Sequence, residues 1–308
     1  GMVMTAMLTL YGCGGGGSYD NPTAQVTTTV TKSGNALVTA EELKAWIDEG
    51  KVNAPLGSYD RVVILDVTTS GVYAAGHIPG AQFVDGTAPF MANRAEGPFT
   101  ITGNIVCNGA TMDALIQKHG IDANTTIVLT GSSTINVSRP YATFRYWGFP
   151  KNRLKVLQGG NVAWTTATYT LSTDTPVIAQ SAYCVTPNSI PLINADMRVS
   201  LPEMITYVKS IVAGNPDNVI VLDTIRGTTQ VTSTSDLLES GYTPMEGAIK
   251  GSYRFPYGGV VTGGLYFKDA DTLKSDISAG TDYLSVAMGD TKRDSAKTFI
   301  VQCRAGNA

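Results

Sequence analysis

Val62-Val63-Ile64-Leu65-Asp66 is a run of four apolar residues closed by an aspartate, and Val219-Ile220-Val221-Leu222-Asp223 repeats it. Runs this short, rich in β-branched residues and without alternating polarity, mark strands buried on both faces, as inside parallel sheets. Amphipathic segments alternate with such runs, so the expected fold class is α/β. Upstream, Val38-Thr39-Ala40-Glu41-Glu42-Leu43 has a counterpart in Val199-Ser200-Leu201-Pro202-Glu203-Met204. Both set a hydroxyl ahead of an acidic first turn, the signature of a helix start. Downstream, Gly76-His77-Ile78-Pro79-Gly80-Ala81 recurs as Gly247-Ala248-Ile249-Lys250-Gly251-Ser252, and Ile127-Val128-Leu129-Thr130 as Ile300-Val301-Gln302-Cys303. The offsets of 161, 157, 171 and 173 residues keep their order and vary as loop insertions do. The chain therefore reads as two copies of one fold, joined by a Thr/Pro-rich connection around Ser172 to Asn194.

A length of 308 residues suits about two domains. Lys and Arg number 22 against 25 Asp and Glu, for a net charge of −3, and no basic block interrupts the chain. General nucleic-acid binding needs a basic phosphate-neutralising surface, so nucleic acid is not an expected partner. The four cysteines, Cys13, Cys107, Cys184 and Cys303, form no CxxC pair, and the chain has only two histidines, His77 and His119. That spacing argues against a zinc site, and no metal or other cofactor is expected. A disulfide between two of these cysteines stays open.

The strand ending in Leu-Asp, the GHIPGA segment at 76–81 and LQGGNVAW at 157–164 together resemble a rhodanese domain, and CRAGNA at 303–308 is similar to the catalytic loop of that family. One copy with the cysteine and one without it resembles the tandem-domain thiosulfate and mercaptopyruvate sulfurtransferases. The resemblance implies two rhodanese-like domains, each a mainly parallel sheet flanked by helices. Residues 37–170 would form a non-catalytic domain, 171–195 a linker, and 196–308 a catalytic-type domain. It implies that Cys303 is the nucleophile, taking a sulfane sulfur from thiosulfate or a similar anionic donor and passing it as a persulfide to a thiol or cyanide. Arg304, Ala305, Gly306, Asn307 and Ala308 would form the donor-binding loop, with Arg226 a further anion contact.

Elementary chemistry supports the loop. A cysteine at a strand end, followed by a glycine turn, sits in a ring of backbone N–H groups that favours an anion and lowers the thiol pKa. Gly306 and Asn307 tolerate the turn, and the Arg304 guanidinium can pair two bonds to oxyanion oxygens. In the first copy the cysteine position is read as Thr130, so that copy is expected to be structural. The second copy carries GAIKGS for GHIPGA, and Asp223-Thr224-Ile225-Arg226 has one residue more than the family's D-x-R. A non-catalytic anion- or partner-binding protein of this fold is one alternative. A cysteine-dependent phosphatase is another, since C-x5-R would need only an arginine at position 309. By the repeat offset, a complete second copy would extend to about residue 337, past Ala308.

Cys107 and Cys184 are expected to be ordinary thiols, His77 a turn residue, His119 a cationic cap at a helix C-terminus, and Trp147 and Trp164 core. Asp66 and Asp223 are expected to bond to neighbouring backbone. Residues 1–36 combine an uncharged apolar run, Leu10-Tyr11-Gly12-Cys13, and a Gly-rich stretch. This resembles a bacterial lipoprotein signal with its tether, which implies export to the cell envelope or periplasm and a lipid anchor on Cys13.

Overall fold

A computed structural model describes residues 35–96, 98–185, 195–214, 219–224, 249, 252–254, 257–263, 265–278 and 298–302. Its first sheet is built from β1 (Leu37–Val38), β2 (Val62–Asp66), β3 (Gln82–Phe83), β6 (Thr126–Thr130) and β7 (Leu154–Leu157), in the order β1-β7-β6-β2-β3, every pair parallel. An antiparallel hairpin, β4 (Met91–Glu96) with β5 (Phe99–Val106), lies between β3 and β6 in the chain. Helices α1 (Ala40–Asp48), α2 (Ser70–Ala75), α3 (Gly109–Lys118), α4 (Ser138–Tyr146) and α5 (Gly160–Thr166) connect the strands.

All five residues of β2 are buried, and their side chains alternate between two cores. Val63 and Leu65 join Phe90, Met112, Ile116, Phe144 and Trp147 on one face. Val62 and Ile64 join Leu43, Ile78, Val128 and Trp164 on the other. Both tryptophans are core, as expected.

Helix α1 starts as its sequence dictates: the Thr39 hydroxyl accepts from the Glu42 N–H, and the Glu42 carboxylate accepts from the Thr39 N–H. The same capping box, from Ser200 and Glu203, opens α6 (Leu201–Val212). Helix α3 ends on His119 and left-handed Gly120, with Ile121 N–H donating to the Ile116 carbonyl and Gly120 N–H to that of Gln117.

His119 is not the cation anticipated there. It is 3% exposed, its Nδ1 bonds Gln82 Oε1 at 2.9 Å, and burial, reinforced by the Lys118 charge, holds its pKa down to about 4. The imidazole is neutral near pH 7, so the dipole argument gives way to desolvation. In the unfolded chain histidine protonates near 6.5. Acidification from about 6.5 toward 4 thus protonates the unfolded chain first, draining up to on the order of 3 kcal/mol of stability. Above that window the contribution is fully present. His119→Asn keeps an N–H near Gln82 without the titration, so its urea midpoint is expected to fall less than wild type between pH 7 and 4.5. Equal falls would assign the acid sensitivity elsewhere.

The segment read as a connection is packed, not loose, over its described part. Ser172 exchanges two backbone bonds with His77, Ser181 Oγ donates to the Ile121 carbonyl, and the Val185 N–H donates to Asp113 Oδ1. Val185 is itself 1% exposed within the first core. His77 is likewise fixed, its ring stacked on Tyr73 and its two nitrogens set against the carbonyls of Tyr73 and Asp174.

The second sheet has the order β12-β8-β9, from β8 (Val219–Asp223), β9 (Tyr253–Arg254) and β12 (Thr298–Gln302), all parallel. Between β9 and β12 stand a short 3-10 turn (Tyr257–Val260), the hairpin β10 (Val261–Thr262) and β11 (Tyr266–Phe267), and α7 (Ala270–Ser278). Val219, Val221 and Ile300 form its core with Met204, Tyr207 and Ile211 of α6. Strand for strand this repeats β6-β2-β3, with a hairpin and a helix in the corresponding places. None of the described helices is long and apolar enough to cross a membrane.

Candidate functional site

Open parallel sheets place their functional groups beyond the carboxyl ends of the strands. In the first sheet that edge is closed by side chains. Asp66, fully buried, accepts from the Thr68 N–H and from Asn161 Nδ2, and the Thr130 hydroxyl donates to Asn161 Oδ1. Asp66 is thereby a structural anchor, as expected. The Gly131 carbonyl accepts from the Asn161 N–H at the start of α5.

In the second sheet the corresponding edge is held by Thr224, which is 4% exposed. Its N–H and its hydroxyl both donate to the Gln302 carbonyl, at 3.0 and 3.1 Å, and its own carbonyl accepts from the Tyr257 N–H. Gln302 ends β12, so the next residue in the chain is Cys303. The peptide from which the CRAGNA loop departs is therefore pinned twice by one buried threonine. Gln302 Oε1 is buried and has no hydrogen-bond partner among the described residues. Neither Thr224 nor Gln302 was singled out as a site residue from sequence; the signal available was Thr224 following the repeated Leu-Asp pair.

Strand registers shift the sequence match between the two sheets by one residue. Asp66 pairs with Thr130, and Asp223 pairs with Gln302. The residue after each aspartate donates to the carbonyl of that partner, Val67 to Thr130 and Thr224 to Gln302. Thr130 is thus equivalent to Gln302, and the counterpart of Cys303 is Gly131, not Thr130. The first sheet still has no thiol at this position. Cys303, Arg304, Ala305, Gly306, Asn307, Ala308, Arg226 and Cys13 all lie outside the described residues, as does the Asp223 side chain.

The other cysteines separate. Cys107 is fully buried, and desolvation pushes its thiol up to about 11, so little thiolate exists near neutrality. Cys184 is disulfide-bonded, which corrects its reading as an ordinary thiol. Among the described residues no group of His, Cys, Asp and Glu side chains could hold a metal ion.

Residues 39–167 match the family model of the rhodanese-like domain. The sulfur carrier protein TtuD of Thermus thermophilus is 23% identical over 236 residues, covering 76% of this chain and 73% of that protein. Among solved structures, the anaerobic ergothioneine biosynthesis enzyme of Chlorobium limicola aligns with a TM-score of 0.62 at 17% identity, over 88% of this chain. The present chain spans only 62% of that enzyme. The 3-mercaptopyruvate sulfotransferase SseA of Escherichia coli aligns with a TM-score of 0.57 at 16% identity, over 86% of this chain and 97% of its own. These structural likenesses establish a rhodanese fold, an α/β architecture with a mainly parallel central sheet flanked by helices.

Proposed function

We propose that this chain, with a rhodanese-like domain at residues 39–167 as its starting point, is a tandem sulfurtransferase that carries a sulfane sulfur on Cys303. The observation that carries the reading is the register of β12. Gln302, the residue before Cys303 in the sequence, ends β12 at the carboxyl edge of a parallel sheet with its carbonyl pinned by Thr224, which supports a nucleophile just beyond that edge. The repeat of β6-β2-β3 by β12-β8-β9 supports two copies of the domain, of which the first holds Gly131 at the equivalent position.

The chemistry follows from a thiolate among backbone donors. The Cys303 sulfur attacks the outer sulfur of thiosulfate, forming one S–S bond while the donor's own S–S bond breaks. Sulfite leaves with the bonding pair. An acceptor thiolate or cyanide then attacks the outer sulfur of the persulfide and regenerates the Cys303 thiolate. Arg304 offers two parallel N–H bonds to the donor's oxygens. The similarity to a sulfur carrier protein supports a sulfur held on the protein between donor and acceptor, and that to a 3-mercaptopyruvate sulfotransferase keeps mercaptopyruvate beside thiosulfate as donor.

The test is direct. The reduced protein is incubated with thiosulfate or 3-mercaptopyruvate, alkylated, digested and weighed. The expected result is the mass of one added sulfur on the peptide containing Cys303, removable by cyanide or dithiothreitol. No added sulfur with either donor would overturn the proposal.

A further inference from the structure

The second copy's hairpin is seated on the first copy, at the carboxyl edge of the first sheet. Gln158 Nε2 donates to the Phe267 carbonyl at 2.8 Å, and the Phe267 N–H donates back to Gln158 Oε1 at 3.2 Å. The Thr134 hydroxyl, 1% exposed, donates to the Leu265 carbonyl. Phe267 packs on the core of the first sheet. Gly159, at φ +79°, lets the ring of Tyr266 lie where a Cβ would come within 2.3 Å of Cε1. An apolar side chain, a reciprocal amide pair and a glycine that admits an aromatic ring make this a fitted seat.

The hairpin is also tied to the other edge. The Lys268 N–H donates to the Val260 carbonyl, at the end of the turn that opens with Tyr257. The Tyr257 N–H donates to the Thr224 carbonyl, and Thr224 holds Gln302 by two bonds. From Gln158 in the first copy to the peptide before Cys303, every step is a hydrogen bond or a short piece of chain within one turn.

We propose that the first copy, which lacks the nucleophile, positions it: Gln158 and Thr134 clamp the 261–267 hairpin, and the clamp sets the Thr224–Gln302 peptide from which Cys303 departs. This rests on the reading of Cys303 as the nucleophile, but its test does not need sulfur transfer. Gln158 and Thr134 are positioning residues. Their effect is read as a change in the environment of the Cys303 thiol.

The experiment uses the full reduced chain as wild type, Gln158→Met, Thr134→Val and Thr134→Ser. Two quantities are measured by peptide-resolved mass spectrometry: hydrogen exchange over 265–268, and the rate of iodoacetamide alkylation of Cys303 against pH. Loss of the reciprocal pair in Gln158→Met is expected to raise exchange at Phe267 by about thirtyfold, two net hydrogen bonds' worth. The same variant should slow Cys303 alkylation at neutral pH by about threefold or more and move its pH profile upward. Exchange over 126–130, inside the first sheet, should stay as in wild type, which separates release of the clamp from unfolding. Thr134→Val should act in the same direction, and Thr134→Ser, which keeps the hydroxyl, should restore wild-type values. Unchanged exchange at Phe267 would overturn the clamp. Raised exchange with an unchanged Cys303 pH profile would overturn the positioning role and leave the sulfurtransferase proposal standing.

Discussion

Serine at position 303 is expected to lower thiosulfate-to-cyanide sulfur transfer by at least about three orders of magnitude, to the uncatalysed level. A persulfide requires a sulfur on the protein, and the serine hydroxyl neither ionises near neutrality nor forms an isolable sulfur adduct. Cys107→Ser is the control that gives the experiment meaning. That thiol is fully buried and its pKa is pushed up to about 11, so removing it costs packing and leaves transfer near wild type. Thiocyanate formation measured on the two variants, with circular dichroism to confirm folding, decides the matter. Wild-type rates in Cys303→Ser would remove the nucleophile from its assigned position, and equal losses in both variants would point to a fold effect.

The parts of this molecule readable from sequence are those where local chemistry and tertiary demand coincide. The two Leu-Asp strands carry their burial in composition, and the capping boxes at Thr39 and Ser200 carry theirs in spacing; all appear where the residues place them. The readings that changed depended on partners far along the chain. His119 is a helix terminus in sequence, but Gln82 and the surrounding core make it a neutral buried side chain. The pairing of Thr130 with Cys303 matched polar strand ends, whereas hydrogen-bond register is set by the facing strand and moves the match to Gly131. Residues 172–185 have no periodicity, because they are held by scattered hydrogen bonds to His77, Asp113 and Ile121 rather than by a regular element. The Gln158–Phe267 seat joins residues 109 positions apart, and nothing in either segment announces the other.

Gly160→Ala is expected to be the most destabilising glycine-to-alanine change in the rhodanese-like domain at residues 39–167, and Gly50→Ala its calibrated partner. Both glycines are left-handed, at φ +58° and +69°, so an alanine at either pays the backbone cost of roughly 1–2 kcal/mol for an L side chain in that region. At Gly50 an added Cβ meets nothing within 4 Å, and the loss should stop there. At Gly160 the Cβ would stand 2.3 Å from the Gly131 carbonyl oxygen, a backbone atom that cannot rotate away. Relief requires α5 to lift from the loop, and lifting it breaks the bond from the Asn161 N–H to that same carbonyl and strains the Asn161 links to Asp66 and Thr130. Several buried polar groups then lose partners together, so the expected loss is about 3 kcal/mol or more beyond the Gly50 value. Urea denaturation of the two variants and wild type at pH 7 measures the difference. A Gly160→Ala midpoint no lower than that of Gly50→Ala would show that α5 does not rest on the Gly131 carbonyl, and the closed edge assigned to the first sheet would have to be redrawn.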